Sequence, residues 1–188
     1  MKRLDAIRRI VPLLADAAVV SNLGRNTYDL YEAADRAENF YMWGAMGSTS
    51  SVGFGLALAQ PTRPVLVLDG DGSMLMSLGT LTTIAAHRPP KLVLVVFDNG
   101  TYETTGGQAT HTTRGADLEA IARGAGIVHT LTAADLDTFA SAVARALREP
   151  GPWFILAKVE QATAFARVPR RPIYFKDRFM EAIGTVGT

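Results

Sequence analysis

Cysteine is missing from all 188 residues. Disulfides, zinc–thiolate sites, iron–sulfur clusters and cysteine nucleophiles are thereby excluded, and a reducing cytoplasm is the expected compartment. An excess of charge of one sign is missing too: 19 Lys and Arg stand against 18 Asp and Glu, for a net charge of +1. So balanced a chain has no electrostatic reason to seek nucleic acid or an anionic membrane. The start, MKRLDAIRRIVPLLADAAVV, is basic and then apolar, but Arg8, Arg9 and Asp16 interrupt it. It reads as neither a secretion signal nor a span, which needs roughly 18 uninterrupted apolar residues. No G-x-x-x-x-G-K-[ST] loop occurs, and no G-x-G-x-x-G follows a strand, so P-loop and Rossmann fingerprints are absent. An EF-hand starting at Asp69 needs glycine sixth and glutamate twelfth; Met74 and Thr80 stand there.

What is present describes a globular chain, 48% hydrophobic and of a length that fits one domain. Apolar residues at helical spacing predict a helix over 3–14, and further helices are expected at 27–36, 48–60, 73–87, 116–126 and 133–150. Strands are expected at 17–22, 40–43, 64–69, 91–97, 127–131 and 152–160. PVLVLD (64–69) and KLVLVVF (91–97) show no polar alternation, as strands covered by helices on both sides do. The alternation of strand and helix predicts a doubly wound α/β fold with a mainly parallel sheet over residues 1–160. Residues 161–188, with five basic residues among aromatics, read as a C-terminal arm packed on the domain or on a partner.

The densest chemistry lies at LDGDGSMLMSLG (68–79). Two parallel strands joined by one helix often lie side by side, and open α/β sheets bind ligands beyond the carboxyl ends of their strands. Gly70-Asp71-Gly72-Ser73 ends the first strand and Asp98-Asn99-Gly100-Thr101 the second, so Asp71 and Asn99 can converge. A carboxylate and an amide oxygen are ligands for a hard cation. The glycines let backbone approach a ligand, and the helix start favours an anion. The tripeptide alone could equally be a tight turn; with a second polar turn at the next strand end, it reads as a metal–phosphate site.

These turns resemble the signature of the diphosphate-binding (PP) domain of thiamine-diphosphate enzymes: GDG, a spacer of about two dozen residues, then NN. Here GDG (70–72) is followed by residues 73–97 and then Asp98-Asn99, with Asp98 in place of the first Asn. The resemblance implies Asp71, Asn99 and the carbonyl of Thr101 as Mg²⁺ ligands. It also implies Gly70, Gly72, Ser73, Thr101 and Tyr102 around the thiamine diphosphate. WGAMGSTSSVGFGLALA (43–59) resembles the segment that holds the aminopyrimidine: Gly44 offers its carbonyl, Ala45 follows, and Met46 is the wedge between the two rings. A narrower resemblance, to the sulfopyruvate and phosphonopyruvate decarboxylases, rests on SNLG (21–24), FYMWGAMGSTSS (40–51), LDGDGSMLMSLGTL (68–81) and DNGTYETTGGQATHT (98–112).

The resemblance implies a lyase, one subunit of a 2-oxo acid decarboxylase. The family's activating glutamate belongs to a separate pyrimidine-binding (PYR) domain, which no segment here matches. A PYR-domain (alpha) subunit is therefore the expected partner in a hetero-oligomer, with the cofactor at the interface and a small anionic 2-oxo acid as substrate. In YETTGGQATHTTR (102–114), Gly107, Gln108 and His111 are candidate substrate contacts, Gly106-Gly107-Gln108 as a backbone nest. Arg25 and Arg114 also offer cations but equally suit water-facing positions, and His87 and His129 read as structural. A carboligase of the acetolactate-synthase type, the beta subunit of a 2-oxo acid:ferredoxin oxidoreductase and a non-catalytic cofactor-binding module remain alternatives, the absent cysteines counting against a cluster on this chain.

Overall fold

The two uninterrupted apolar runs form the middle of the sheet. In the structure, a computed structural model that describes residues 1–161 and 167–185, they are β3 (Val65–Gly70) and β4 (Leu92–Asp98), paired in parallel from Val65↔Leu92 to Gly70↔Phe97. β1 (Ala18–Ser21), β2 (Asn39–Tyr41), β7 (His129–Ala133) and β8 (Trp153–Lys158) complete a six-stranded sheet of order β2-β1-β3-β4-β8-β7 with every pairing parallel. A short antiparallel pair, β5 (Thr101–Tyr102) and β6 (Gln108–Ala109), stands apart.

Successive strand residues point to opposite faces, and each face carries its own core. Leu66, Leu68, Val93, Val95 and Phe97 pack with α1 (Arg3–Ile10), α2 (Arg25–Ala33) and α7 (Leu136–Arg148). Val65, Val67, Leu92, Leu94 and Val96 pack with α3 (Thr49–Ala59), α4 (Asp71–Leu75), α5 (Gly79–His87) and α6 (Leu118–Gly124). Helices on both faces are what buried strands require. α3 sits so close that a Cβ on Gly53 would stand 2.1 Å from Val67 Cγ2.

Two helices differ from expectation. The first stops at Ile10 and continues as a 3-10 turn, Val11–Leu13, where Pro12 has no N–H to carry the α-helical ladder. The helix expected over 73–87 is two, α4 and α5. Between them the amides of Met76, Ser77, Thr80 and Leu81 bond three residues back, and the Ser77 and Thr80 hydroxyls bond each other at 2.9 Å. Serine, threonine and Gly79 are poor helix formers that favour such local bonds.

The chain after β8 ends in α8 (Pro172–Ala182), whose Phe175 and Phe179 are buried against β2 and its neighbours. Residues 162–166 and 186–188 of the expected arm lie outside the described residues.

Candidate active site

β1 leads through α2 to β2 on one side, and β3 leads through α4 and α5 to β4 on the other. The strand order therefore reverses between β1 and β3, where open α/β sheets form a crevice at their carboxyl ends. A cleft of about 70 Å³ lies there. Its walls include Asn22 after β1, Gly70 to Ser73 after β3, Asn99 and Thr101 after β4, and Met46 from the β2–α3 turn.

Asp71 is 3% exposed. Its Oδ2 accepts a bond of 2.6 Å from the Thr110 hydroxyl and a longer one, 3.4 Å, from that of Thr112. Thr112 also donates at 2.9 Å to Oδ1 of Asp98, so one hydroxyl touches both acids. Burial pushes the Asp71 carboxyl up to about 6; the Thr110 bond pulls it down, and the neighbouring Asp98 carboxylate adds to the rise. Asp98 also holds its own turn, accepting from the Gly100 N–H at 3.1 Å, and its other oxygen pairs with Lys158 Nζ. Asp98 and Lys158 are register partners on β4 and β8. Asn99 folds back likewise, its Oδ1 accepting from the Thr101 N–H at 2.9 Å.

Beneath the cleft, Asp69 is fully enclosed, and burial raises its carboxyl above the usual range against bonds from Ser73, Gly70 N–H and Ser50. Its Oδ2 accepts from the Ser50 hydroxyl at 2.9 Å. Ser73 Oγ accepts from the Gly47 N–H at 3.0 Å, so this hydroxyl braces the β2–α3 turn. A Cβ on Gly72 would stand 2.4 Å from the Tyr102 ring, which lies across it, so any other residue would push that ring aside.

The structure thus brings together Met46, Gly70, Asp71, Gly72, Ser73, Asn99, Thr101 and Tyr102 on one cleft. Gly44 and Ala45 are exposed and line an adjoining groove instead. Gly107, Gln108 and His111 are exposed on the hairpin and beyond it, outside the cleft lining; Gln108 bonds only the Thr105 carbonyl, at 3.3 Å. Arg25 lines the cleft, whereas Arg114 is exposed away from it. His129 stacks on Trp153 at 4.6 Å and His87 contacts Phe54, both away from the cleft. Sequence reasoning missed Arg3, Asn26 and Glu103, which also line the cleft; Arg3 bonds Asp29 at 2.7 Å and Glu103 at 3.4 Å. It also missed Thr110, Thr112 and Lys158. Only Asn22, at the end of a predicted strand, carried a signal that the strand-end rule could have used.

Chemically, one carboxylate, one amide oxygen and backbone carbonyls make a donor set for a hard cation. No group of three His, Cys, Asp or Glu converges among the described residues, which leaves soft or borderline metals without their usual ligands.

The sequence pattern of the "Thiamine pyrophosphate enzyme, C-terminal TPP binding domain" family matches residues 22–157, from the end of β1 through most of β8. The chain belongs to this thiamine pyrophosphate enzyme family. It is 42% identical over 184 residues to the sulfopyruvate decarboxylase subunit beta of Methanocaldococcus jannaschii, covering 97% of both chains. It is 47% identical over 156 residues to a phosphonopyruvate decarboxylase of Streptomyces viridochromogenes, covering 81% of this chain but 38% of that one. Among solved structures, the thiamine diphosphate-dependent 4-hydroxybenzoylformate decarboxylase of Rhodococcus jostii superposes with a TM-score of 0.77 at 21% identity, over 87% of this chain and 33% of that one, a likeness of fold. A thiamine pyrophosphate-binding domain therefore occurs both as a separate subunit and within longer chains. No helix among the described residues is long and apolar enough to cross a membrane.

Proposed function

We propose that this chain is the diphosphate-binding subunit of a cytoplasmic, thiamine-diphosphate- and Mg²⁺-dependent decarboxylase of an anionic 2-oxo acid, sulfopyruvate or a close phosphonate analogue. The observation that carries this reading is the meeting of Asp71, Asn99 and Thr101 on one cleft, in a chain matched end to end by a sulfopyruvate decarboxylase beta subunit.

The residues fit the cofactor. Asp71 and Asp98 place two buried acids against one lysine, an imbalance that a divalent cation neutralises. Among the described residues Thr101 Oγ1 is buried without a hydrogen-bond partner, as expected where a bound group is needed to satisfy it. Asp71, Asn99 and the Thr101 carbonyl would hold Mg²⁺; Gly70, Gly72, Ser73 and Tyr102 would meet the diphosphate; Gly44, Ala45 and Met46 would meet the ring system. When bound, thiamine diphosphate supplies the electron sink for the pair left behind as carbon dioxide departs. This chain's own work is positional: Thr110, Thr112 and Lys158 fix the two acids, and the Ser73–Gly47 bond fixes the β2–α3 turn.

The cleft itself holds about 70 Å³, and Gly44 and Ala45, which would meet the rings, stand exposed beside it. We read it as half a site, closed by a PYR-domain subunit that carries the activating glutamate, in a hetero-oligomer. Gly107, Gln108 and His111, on the exposed hairpin and its continuation, would meet substrate once that subunit is in place. The test is carbon dioxide release from sulfopyruvate, phosphonopyruvate and pyruvate. We expect none from this chain alone and release on adding a PYR-domain subunit; turnover by the isolated chain would overturn the split site.

A further inference from the structure

The β2–α3 turn is held in an unfavourable shape. Ala45 has φ 58° and Gly47 φ 92°, and a left-handed alanine persists only where its surroundings dictate it. Its crown is open: Gly44 and Ala45 are exposed, and among the described residues a Cβ on Gly44 would meet no atom within 4 Å. The turn is therefore fixed from its ends. At the far end, the Gly47 N–H is tied to Ser73 at 3.0 Å. At the near end stands Trp43, whose neighbour is Phe175 of α8, rings 6.1 Å apart and 28° from parallel.

Phe175 is the hub of this anchor. It is 3% exposed and meets Tyr41 edge-on at 5.1 Å and Tyr31 at 6.2 Å. α8 is also fastened three and four residues further on, where the Arg178 guanidinium lies 5.0 Å over the Phe175 ring. Arg178 grips the Asp35 carboxylate at 2.6 and 2.9 Å and the Arg36 carbonyl at 2.8 Å, while Phe179 packs on Phe40 at 5.3 Å. The α8 side of these contacts lies beyond residue 157, where the family match ends.

We propose that α8 is a positioning element for the cofactor-facing turn, acting through Phe175 on Trp43 and so on Gly44, Ala45 and Met46. Phe175 touches no reacting group; it sets where the turn stands. The turn's role toward thiamine diphosphate rests on the reading in the preceding subsection; its mechanical dependence on Phe175 does not.

The experiment compares Phe175→Ala with Phe179→Ala in the full chain. Both remove a buried ring from α8, but only the first touches Trp43. Hydrogen exchange of the Gly47 and Ser48 amides reads the turn without any cofactor, and titration calorimetry with thiamine diphosphate and Mg²⁺ reads binding. Phe175→Ala is expected to speed exchange at these amides at least tenfold beyond Phe179→Ala and to weaken cofactor binding at least tenfold. Should Phe175→Ala not fold, Phe175→Leu, which keeps bulk without a ring face, serves in the same comparison. Equal exchange in the 175 and 179 variants would overturn the proposal. Wild-type protein that binds no cofactor even with a PYR-domain subunit present would overturn the preceding reading, while the exchange comparison would still decide this one.

Discussion

Replacing Asp71 by asparagine should strengthen the cation-free protein while abolishing its grip on the cofactor. With no cation bound, the Asp71 carboxyl has been pushed from 3.8 to about 6. At 1.36 kcal/mol per unit, this buried charge costs the folded state about 3 kcal/mol at neutral pH. A folded carboxyl with a raised pKa contributes stability below pH 3.8 and loses it as pH climbs through about 6. Asparagine keeps an oxygen to accept the 2.6 Å bond from Thr110 and has no charge to lose. Urea denaturation without divalent ions should therefore show the two proteins close together at pH 4. At pH 7 the variant should lead by about 1–3 kcal/mol, relaxation reducing the full figure. Adding Mg²⁺ with thiamine diphosphate should reverse the order, because ligand stabilises only the form that binds it. A gap that does not change between pH 4 and 7, or a variant still stabilised by the cofactor, would refute the assignment of Asp71 as the buried, cation-seeking acid.

Lys158→Met strands the buried Asp98 carboxylate. Losing a partner of a fully buried pair costs about 3–5 kcal/mol, but Lys158 is 48% exposed, so we expect about 1–2 kcal/mol after solvent screening. Adding Asp98→Asn should recover most of that, measured as a double-mutant cycle by denaturant unfolding; simple additivity would remove the pairing from the argument. Gly53→Ala forces a methyl to within 2.1 Å of Val67 Cγ2. Overpacking of this kind costs about 1–3 kcal/mol, or roughly 2–12 °C in thermal midpoint for a chain of this size. An unchanged midpoint in calorimetry would show that α3 moves away at no cost.

The central sheet was readable because parallel strands buried on both faces leave no polar residue in their runs. The same runs fixed where the strands end, so Asp71 and Asn99 were legible from adjacency alone. Lys158 was not: its meeting with Asp98 depends on the register of β8 against β4, set by packing across some 60 positions of chain. Thr110 and Thr112 stood within a quoted loop, but nothing in their spacing says that they fold back onto two aspartates. The broken helix 73–87 was missed because its apolar periodicity runs through both pieces, and only the local hydroxyl bonds divide them. The chain after β8 was expected only as an arm packed on the domain or a partner; that it forms α8, bound to the sheet by Phe175 and Phe179 one turn apart, was masked by the arginines and lysine around them.

The acids and the lysine stand at or just beyond the ends of three neighbouring, buried strands, whereas hairpin 102–109 projects from that edge, exposed over residues 104–109. On the reading proposed above, grip and choice fall to different parts of the molecule. Rewriting residues 104–109 would leave the ladder beneath them intact, so new acids could be tried on an inherited anchor without relearning how to hold the vitamin.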